Sequence, residues 1–205
     1  MYIPREYEQK DQAEIIAFMK RYSFAIVVTH GDDDIPLATH LPFYVYAHND
    51  EVHLTAHFAM GNLQWKGIED KNVLVIFSQP HAYISPSHYS REQSVPTWNY
   101  VAVHAHGKCR VITDTNEGVG ILEQMIMQSE PAYKQQWDGL SPEYKAALYK
   151  GIVPIDITIT KLEAVNKLSQ DKSEHERHKI IDTLSSSTDT AEQDIAEYMK
   201  KNTTA

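Results

Sequence analysis

Short β-rich runs with few helices between them are the feature that most constrains the fold of this 205-residue chain. Residues 24–29 and 73–77 are rich in the β-branched and aromatic residues that favour strands. Because such runs recur at short intervals, an antiparallel barrel, closed or split, is predicted rather than a parallel α/β sheet. The other predicted strands cover 37–46, 52–57, 97–113 and 155–159, with turns at 31–34 and 48–50.

Helical periodicity appears in a few places around these strands. Asp11 has the position of an N-cap, and after it Ile15, Phe18, Met19 and Tyr22 recur on one helical face. Further helices are predicted at 117–129 and 142–150, and a pair of helices follows residue 173. The prediction is therefore an α+β fold, with an antiparallel barrel domain over residues 1–170 and a C-terminal helical extension over 171–205.

The charge balance limits the classes of partner. Nineteen Lys and Arg residues against 28 Asp and Glu residues give a net charge of −9. A nucleic-acid-binding domain usually has a pI above about 9 and clustered cations. Here the cations are scattered and the sequence pI is near 5.6. Direct, charge-driven DNA binding is therefore disfavoured.

Sequence features that report on location indicate the cytoplasm. The longest apolar stretch, 41–47, is far shorter than the roughly 20 residues of a membrane-spanning helix. The first six residues contain no apolar segment of the kind found in secretion signals. Cys109 is the only cysteine, which excludes an internal disulfide and a cysteine-rich zinc site.

The long predicted strand at 97–113 carries the candidate ligands on one face. Its period of two places Trp98, Tyr100, His104 and His106 together, opposite an apolar face. Two imidazoles at positions i and i+2 of a strand can chelate a metal ion. The alternative is that His104 and His106 are hydrogen-bonded core or interface groups, since local spacing ties no third ligand to them.

Several short segments are more specific. They are Tyr2-Ile3-Pro4, His57-Phe58-Ala59-Met60-Gly61-Asn62, Ala82-Tyr83-Ile84-Ser85-Pro86, Val95-Pro96-Thr97-Trp98-Asn99-Tyr100 and Lys167-Leu168-Ser169-Gln170. In this order they resemble the PaiB family of FMN-binding negative transcriptional regulators. The resemblance extends from Tyr2 to about Ile181.

The resemblance implies a fold, a cofactor and a set of binding residues. It implies an FMN-binding split β-barrel with flanking helices, normally a homodimer with the flavin site between subunits. The aromatic residues would stack on the flavin ring, and a lysine and a serine after the last strand would reach the phosphate. The alternative is that the aromatic residues cover a barrel end or dimer seam, and that the lysine and serine are solvated turn residues. The cofactor-binding residues implied are His57, Met60, Asn62, Trp98, Asn99, Tyr100, Lys167, Ser169 and Gln170.

One departure from the family pattern affects the cofactor. The family usually has an arginine where this chain has Met60, and often another where it has Lys172. A guanidinium binds a phosphate through two parallel hydrogen bonds, which a thioether cannot replace. The resemblance therefore predicts an FMN-type pocket whose affinity for flavin is weakened.

The function expected from these features is that of a PaiB-type transcriptional regulator rather than an enzyme. No residue has the setting of an obligatory proton donor, and no catalytic residue is assigned. The alternatives are a flavin-dependent oxidoreductase of the split-barrel class, in which the cofactor carries the chemistry, and a haem- or metal-binding protein that uses a histidine-rich cleft. The expected partners are a second copy of the chain and a flavin or other small molecule, without a membrane.

Overall fold

The computed structural model describes residues 1–31, 35–49 and 51–202. The predicted turns at 31–34 and 48–50 and the predicted extension therefore fall partly outside the described residues. The chain divides into two compact units. The first unit comprises Met1–Ile15, Ser78–Val103 and Glu163–Ala205, and the second comprises Ile16–Phe77 and His104–Leu162.

An antiparallel sheet forms the centre of the second unit. Its strands occur in the order β2-β1-β5-β7-β8-β4-β3, and the registered pairs β1–β2, β1–β5, β3–β4 and β4–β8 are all antiparallel. Strands β7 and β8 continue into the first unit. The bounds are β1 Phe24–His30, β2 Pro36–Pro42, β3 Tyr44–His48, β4 Glu51–Ala59, β5 Asn72–Phe77, β7 Thr97–Val111 and β8 Ile152–Lys167.

The prediction of one strand over 37–46 is wrong. The structure has two strands there, because β2 ends at Pro42 and β3 begins at Tyr44. Proline has no N–H to donate to a ladder, and the N–H of the next residue, Phe43, bonds to the carbonyl of Ser23 at 2.8 Å. Phe43 itself is fully buried in the core. The break between β2 and β3 therefore leaves the side chain of Phe43 buried.

Among the described residues, four α-helices have residues in the second unit. They are α1 Gln12–Arg21, which begins in the first unit, α2 Thr115–Ser129, α3 Lys134–Gly139 and α4 Pro142–Tyr149. Helix α2 begins at the N-cap Asp114 and α4 at the N-cap Ser141, whose side chains accept backbone N–H groups of the first turn. The fully buried side chains of the sheet include Leu54, Phe58, Val75, Phe77, Ile155 and Ile157.

The first unit combines a short hairpin with two helices. Strand β6, His81–Ile84, pairs antiparallel with the beginning of β7. Helices α5 Glu174–Ser185 and α6 Thr190–Lys201 pack on each other, and α6 also packs on β6. The buried core of this unit contains Ile84, Leu168, Ile180, Ile195 and Met199. These are the two helices predicted after residue 173. The domain boundary at residue 170 stays a prediction.

The sheet with its flanking helices confirms the predicted α+β class. Along β7 the alternation is as predicted, since Val101, Val103 and Ala105 are buried. Within the described ranges, no helix has the length and apolar character needed to span a membrane.

Candidate functional site

An exposed aromatic surface covers one face of the β6–β7 hairpin in the first unit. The register pairs Tyr83 with Trp98 and His81 with Tyr100, which places these four side chains on one face. The ring of Trp98 meets that of Tyr83 edge to face, with centroids 5.7 Å apart, and lies 5.8 Å from that of His81. Trp98 is 52% exposed and Tyr83 47%. We call His81, Tyr83 and Trp98 the aromatic platform.

Lys167 lies beside this platform. Its ammonium donates to the hydroxyl of Thr97 and, at 2.9 Å, to the carbonyl oxygen of Trp98. Burial lowers the pKa of Lys167 below its usual range, Asp171 opposes this shift and Lys172 reinforces it. An ammonium with two protein acceptors keeps one donor free for a ligand. The platform therefore has a partly desolvated cation at its edge.

Asn99 and Ser169 form a buried pair in the same unit. Asn99 is completely buried, and its Oδ1 accepts a hydrogen bond from Ser169 Oγ at 3.0 Å. The Nδ2 of Asn99 lies 3.5 Å from the sulfur of Met199. Gln170 holds the turn in place, because its side chain accepts from Leu168 N and donates to Asn166 O. These groups fix the turn after β8 that follows Lys167.

A polar cleft of about 740 Å³ lies in the first unit. Arg91 and Lys172 supply its positive charges, and Asp171 and Glu176 its negative charges. Lys172 is ion-paired with Asp171 at 2.7 Å. The hydroxyl of Tyr89 is buried there and has no hydrogen-bond partner among the described residues. The cleft offers an anion two cations, opposed by two carboxylates.

Sequence reasoning did not identify Tyr83, Tyr89 or Arg91 as binding residues. The pairing of β6 with β7 places Tyr83 beside Trp98, and β6 itself was not predicted. Arg91 lies in an irregular segment with no periodicity to indicate its direction. The one signal in the sequence is that His81 and Tyr83 are two residues apart, as residues on one face of a strand are.

The remaining predicted cofactor residues belong to the second unit. Met60 is 44% exposed and follows β4. Asn62 is engaged within the protein, since its Oδ1 accepts from Gln64 N and its Nδ2 donates to Thr39 Oγ1 at 2.9 Å. His57, on β4, lines an apolar cavity. The assignment of all nine residues to cofactor binding stays a prediction.

The predicted metal candidates are also in the second unit. His104 and His106 are both half-buried and lie on the same face of β7. Each makes interactions within the protein. Metal binding by this pair stays a prediction.

Comparison with solved structures identifies the fold. The flavocytochrome Anf3 from Azotobacter vinelandii superposes with a TM-score of 0.62 at 15% identity, covering 87% of this chain and 78% of that one. The FAD and haem binding protein from Mycobacterium smegmatis gives 0.61 at 13% identity, covering 84% and 79%. At these identities the likeness concerns the fold alone. It confirms the predicted split β-barrel with flanking helices.

Comparison of sequences identifies the family. The profile described as "Putative FMN-binding domain" matches residues 1–161. The Bacillus subtilis (strain 168) protein named "Protease synthase and sporulation protein PAI 2" is 38% identical over 206 residues, covering 98% of this chain and 97% of that protein. Because both matches cover most of the chain, it belongs to this FMN-binding domain family, the PaiB family.

Proposed function

We propose that this chain is a homodimeric, cytoplasmic regulator of the PaiB type that binds a flavin on the aromatic platform and holds its phosphate weakly. The observation that carries the proposal is the half-exposed Trp98 beside the partly desolvated ammonium of Lys167. A large aromatic surface left open to solvent on a paired β-hairpin is typical of a stacking site.

The platform fits the isoalloxazine ring. The ring of Trp98 would stack on its face, and Tyr83, whose ring stands at 73° to that of Trp98, would contact it through its edge. The free donor of Lys167 would bond to its electron-rich edge. Asn99 would act through Ser169 rather than on the ring, because both ends of its amide already have contacts. A bound flavin supplies hydride and electron transfer chemistry.

The phosphate is the part of FMN that the residues of this chain fit less well. In the first unit, Arg91 and Lys172 can bind an anion. However, Asp171 and Glu176 line the same cleft, and their charges cancel the two cations. FMN phosphate carries roughly −2 near neutral pH, so a cleft with no net charge binds it weakly. Met60 adds neither charge nor donor in the second unit.

The experiment is a flavin-fluorescence titration of the full chain and of Trp98→Ala. Loss of one stacked aromatic ring costs about 1–3 kcal/mol, so we expect the variant to bind FMN roughly 5- to 150-fold more weakly. Tyr144→Ala is the matched control, because Tyr144 is an exposed aromatic residue on α4 in the second unit, outside the platform, and its substitution should leave FMN affinity unchanged. Equal FMN affinity in the chain and in Trp98→Ala would refute the platform as the flavin site.

A second measurement separates a regulator from a flavin-dependent oxidoreductase. Freshly purified protein is examined by visible absorption, and then with FMN and a reduced nicotinamide under steady-state conditions. A regulator gives no sustained nicotinamide oxidation above that of free FMN. Sustained turnover that Trp98→Ala abolishes would favour the oxidoreductase, and a haem band in the spectrum would favour the haem-binding alternative.

A further inference from the structure

The turn after β8 contains a backbone conformation that its residue type does not favour. Ser169 has a φ of 59°, in the left-handed region, and is only 3% exposed. The other described residues with a positive φ, glycine apart, are Asn49 and Asp70, whose side chains tolerate that region. A glycine at position 169 would adopt it without strain. The serine therefore keeps a strained backbone that the contacts of its side chain must offset.

The side chain of Ser169 makes one buried hydrogen bond that can offset this strain. Its hydroxyl donates to Oδ1 of Asn99 at 3.0 Å, and Asn99 is completely buried. The Nδ2 of Asn99 lies 3.5 Å from the sulfur of Met199 on α6. Because both partners of the Asn99–Ser169 bond are buried, water cannot replace either of them, and loss of one leaves the other unsatisfied. The bond therefore connects the beginning of β7 to the turn after β8.

Lys167 reaches the same stretch of β7 from the last residue of β8. The two strands are hydrogen-bonded neighbours, and β8 ends at Lys167. The ammonium of Lys167 donates to the hydroxyl of Thr97 and to the carbonyl oxygen of Trp98, next to the residue that Ser169 contacts. The end of a strand is where a ladder opens most readily, so the connection just beyond it determines whether the last residue stays in place.

Gln170 does not provide this connection to β7. Its side chain accepts from Leu168 N and donates to Asn166 O, and both partners belong to the end of β8 and its turn. These bonds shape the turn without joining it to β7. A lysine has a flexible four-carbon stem, so its ammonium keeps one place only while its backbone is held. The Asn99–Ser169 bond is the side-chain contact that holds the backbone there.

We propose that the buried pair Asn99 and Ser169 is the positioning element that keeps the ammonium of Lys167 at the edge of the aromatic platform, where it reaches the flavin. This inference rests on the proposed function. It gives a different role to two residues that the family resemblance implies as cofactor-binding, because neither touches the flavin and both act through Lys167. Without the hydroxyl of Ser169, the end of β8 opens and the ammonium exchanges Trp98 for water.

The position of Lys167 can be measured without flavin, through the titration of its ammonium. Burial lowers the pKa of Lys167, and this burial requires the ammonium to stay beside β7. The full chain is labelled at lysine Cε with an isotope visible to NMR, and the Lys167 signal is identified by its absence from Lys167→Gln. We expect Ser169→Ala to raise the titration midpoint of Lys167 towards the ordinary lysine value. Asp171 and Lys172, whose charges also act on Lys167, are present in both proteins.

Two further variants separate the hydroxyl from other effects. Ser169→Gly removes the same hydroxyl but relieves the positive φ, so it should be more stable than Ser169→Ala and still show the raised midpoint. Ser186→Ala is the matched control, because the hydroxyl of Ser186 donates to Asp182 O at 2.8 Å on the exposed surface after α5. It should leave the midpoint of Lys167 unchanged.

A second arm measures the affinity for FMN by fluorescence titration. A hydrogen bond from a charged donor is lost when Lys167 is replaced or displaced, so we expect Ser169→Ala and Lys167→Gln each to bind at least about fivefold more weakly. The double variant should bind no more weakly than Lys167→Gln, because Ser169 acts only through Lys167. Additive losses would mean that Ser169 contacts the flavin itself, which contradicts the positioning role.

The NMR arm decides the proposal independently of the flavin. An unchanged Lys167 midpoint in folded Ser169→Ala overturns it, as does a parent-like midpoint in Ser169→Gly, which would assign the effect to the backbone conformation. If Ser169→Ala does not fold, Ser169→Gly gives the same measurement without the strain. Failure of FMN to bind the parent would refute the proposed function and leave the result for Lys167 standing.

Discussion

The ring of Tyr149 lies directly against the backbone of Gly118. A Cβ on residue 118 would be 2.0 Å from Cε2 of that ring, which no real contact permits. The hydroxyl of Tyr149 donates to the carbonyl oxygen of Ile112 at 3.0 Å, which anchors the ring. Helix α4 therefore packs on α2 through a site that requires glycine.

The first prediction concerns this contact. We expect Gly118→Ala to lower the free energy of unfolding by about 1–3 kcal/mol, because the anchored ring must move. Gly120→Ala, two residues along the same helix, is the control, since a Cβ there meets no atom within 4 Å. It should raise the free energy by roughly 0.5–1 kcal/mol through helix propensity. Urea denaturation measures both, and a change of the same sign in the two variants would contradict the packing argument.

The alternation along β7 shows what the sequence can predict. Its period of two correctly separated Val101, Val103 and Ala105 from the exposed Trp98, because burial on one face is a local pattern. The break at Pro42 was missed because the alternation of apolar residues continues across it. Where a strand leaves the sheet depends on its pairing partners, which a local pattern does not contain.

The candidate site is harder to predict from the sequence for the same reason. Trp98 and Lys167 lie 69 residues apart and meet only because the chain folds. The family resemblance supplied both residues, and periodicity alone supplied only the face of Trp98. Tyr83 and Arg91 could not be assigned, because nothing local shows that β6 pairs with β7 or that an irregular segment lines a cleft.

The second prediction concerns pH and the beginning of α5. Hydrogen bonds from Ser90 and Ser173 lower the pKa of Glu176 from 4.5, its ordinary value, to about 2. Because the folded pKa is the lower one, the stabilisation is fully present above pH 4.5 and is lost as the pH falls towards 2. We expect Glu176→Gln to lower the melting temperature at neutral pH and the difference from the parent to shrink across that interval.

Glu174→Gln is the matched control for this prediction. Glu174 is in the same first turn of α5, so its substitution removes the same charge from the helix N-terminus. It lacks the capping-box role of Glu176, whose carboxylate accepts from the backbone and hydroxyl of Ser173. Thermal melts of both variants over acidic pH should show a smaller change for Glu174→Gln. Identical pH profiles would mean that only the helix dipole is involved.

The third prediction concerns assembly. The half-exposed Trp98 and Tyr83 leave a large aromatic surface open in one chain, and the family resemblance implies a homodimer. We expect light scattering behind a sizing column to give twice the chain mass of 23.4 kDa at micromolar concentration. A mass of one chain under those conditions would disprove the dimer.

The fourth prediction concerns DNA. Helix α2 contains neither lysine nor arginine, and the whole chain has a net charge of −9. Such a helix would be repelled by the phosphates flanking the major groove. We expect no sequence-specific binding of duplex DNA by the isolated protein at about 150 mM salt. A promoter footprint that survives competitor DNA would contradict this.

The last prediction concerns Met60. The family pattern has an arginine here, and the side chain is 44% exposed, so an arginine can be accommodated without disturbing the core. A guanidinium can bind a phosphate through two hydrogen bonds. If the phosphate lies at residue 60 and not in the cleft of the first unit, Met60→Arg tightens FMN binding by at least about tenfold, which corresponds to about 1.4 kcal/mol. Riboflavin, which has no phosphate, should gain far less.

Leu63→Arg separates a local contact from a general effect of charge. Leu63 is 64% exposed and lies three residues along the same segment, so its substitution adds the same charge nearby. Fluorescence titration of the parent and both variants with FMN and riboflavin gives six affinities. A gain confined to FMN and to Met60→Arg supports a phosphate position at residue 60. An equal gain in FMN affinity in Leu63→Arg would show that the effect is long-range attraction between charges. An equal gain in riboflavin affinity, or stoichiometric FMN in the unsubstituted protein, would show that the phosphate does not bind at residue 60.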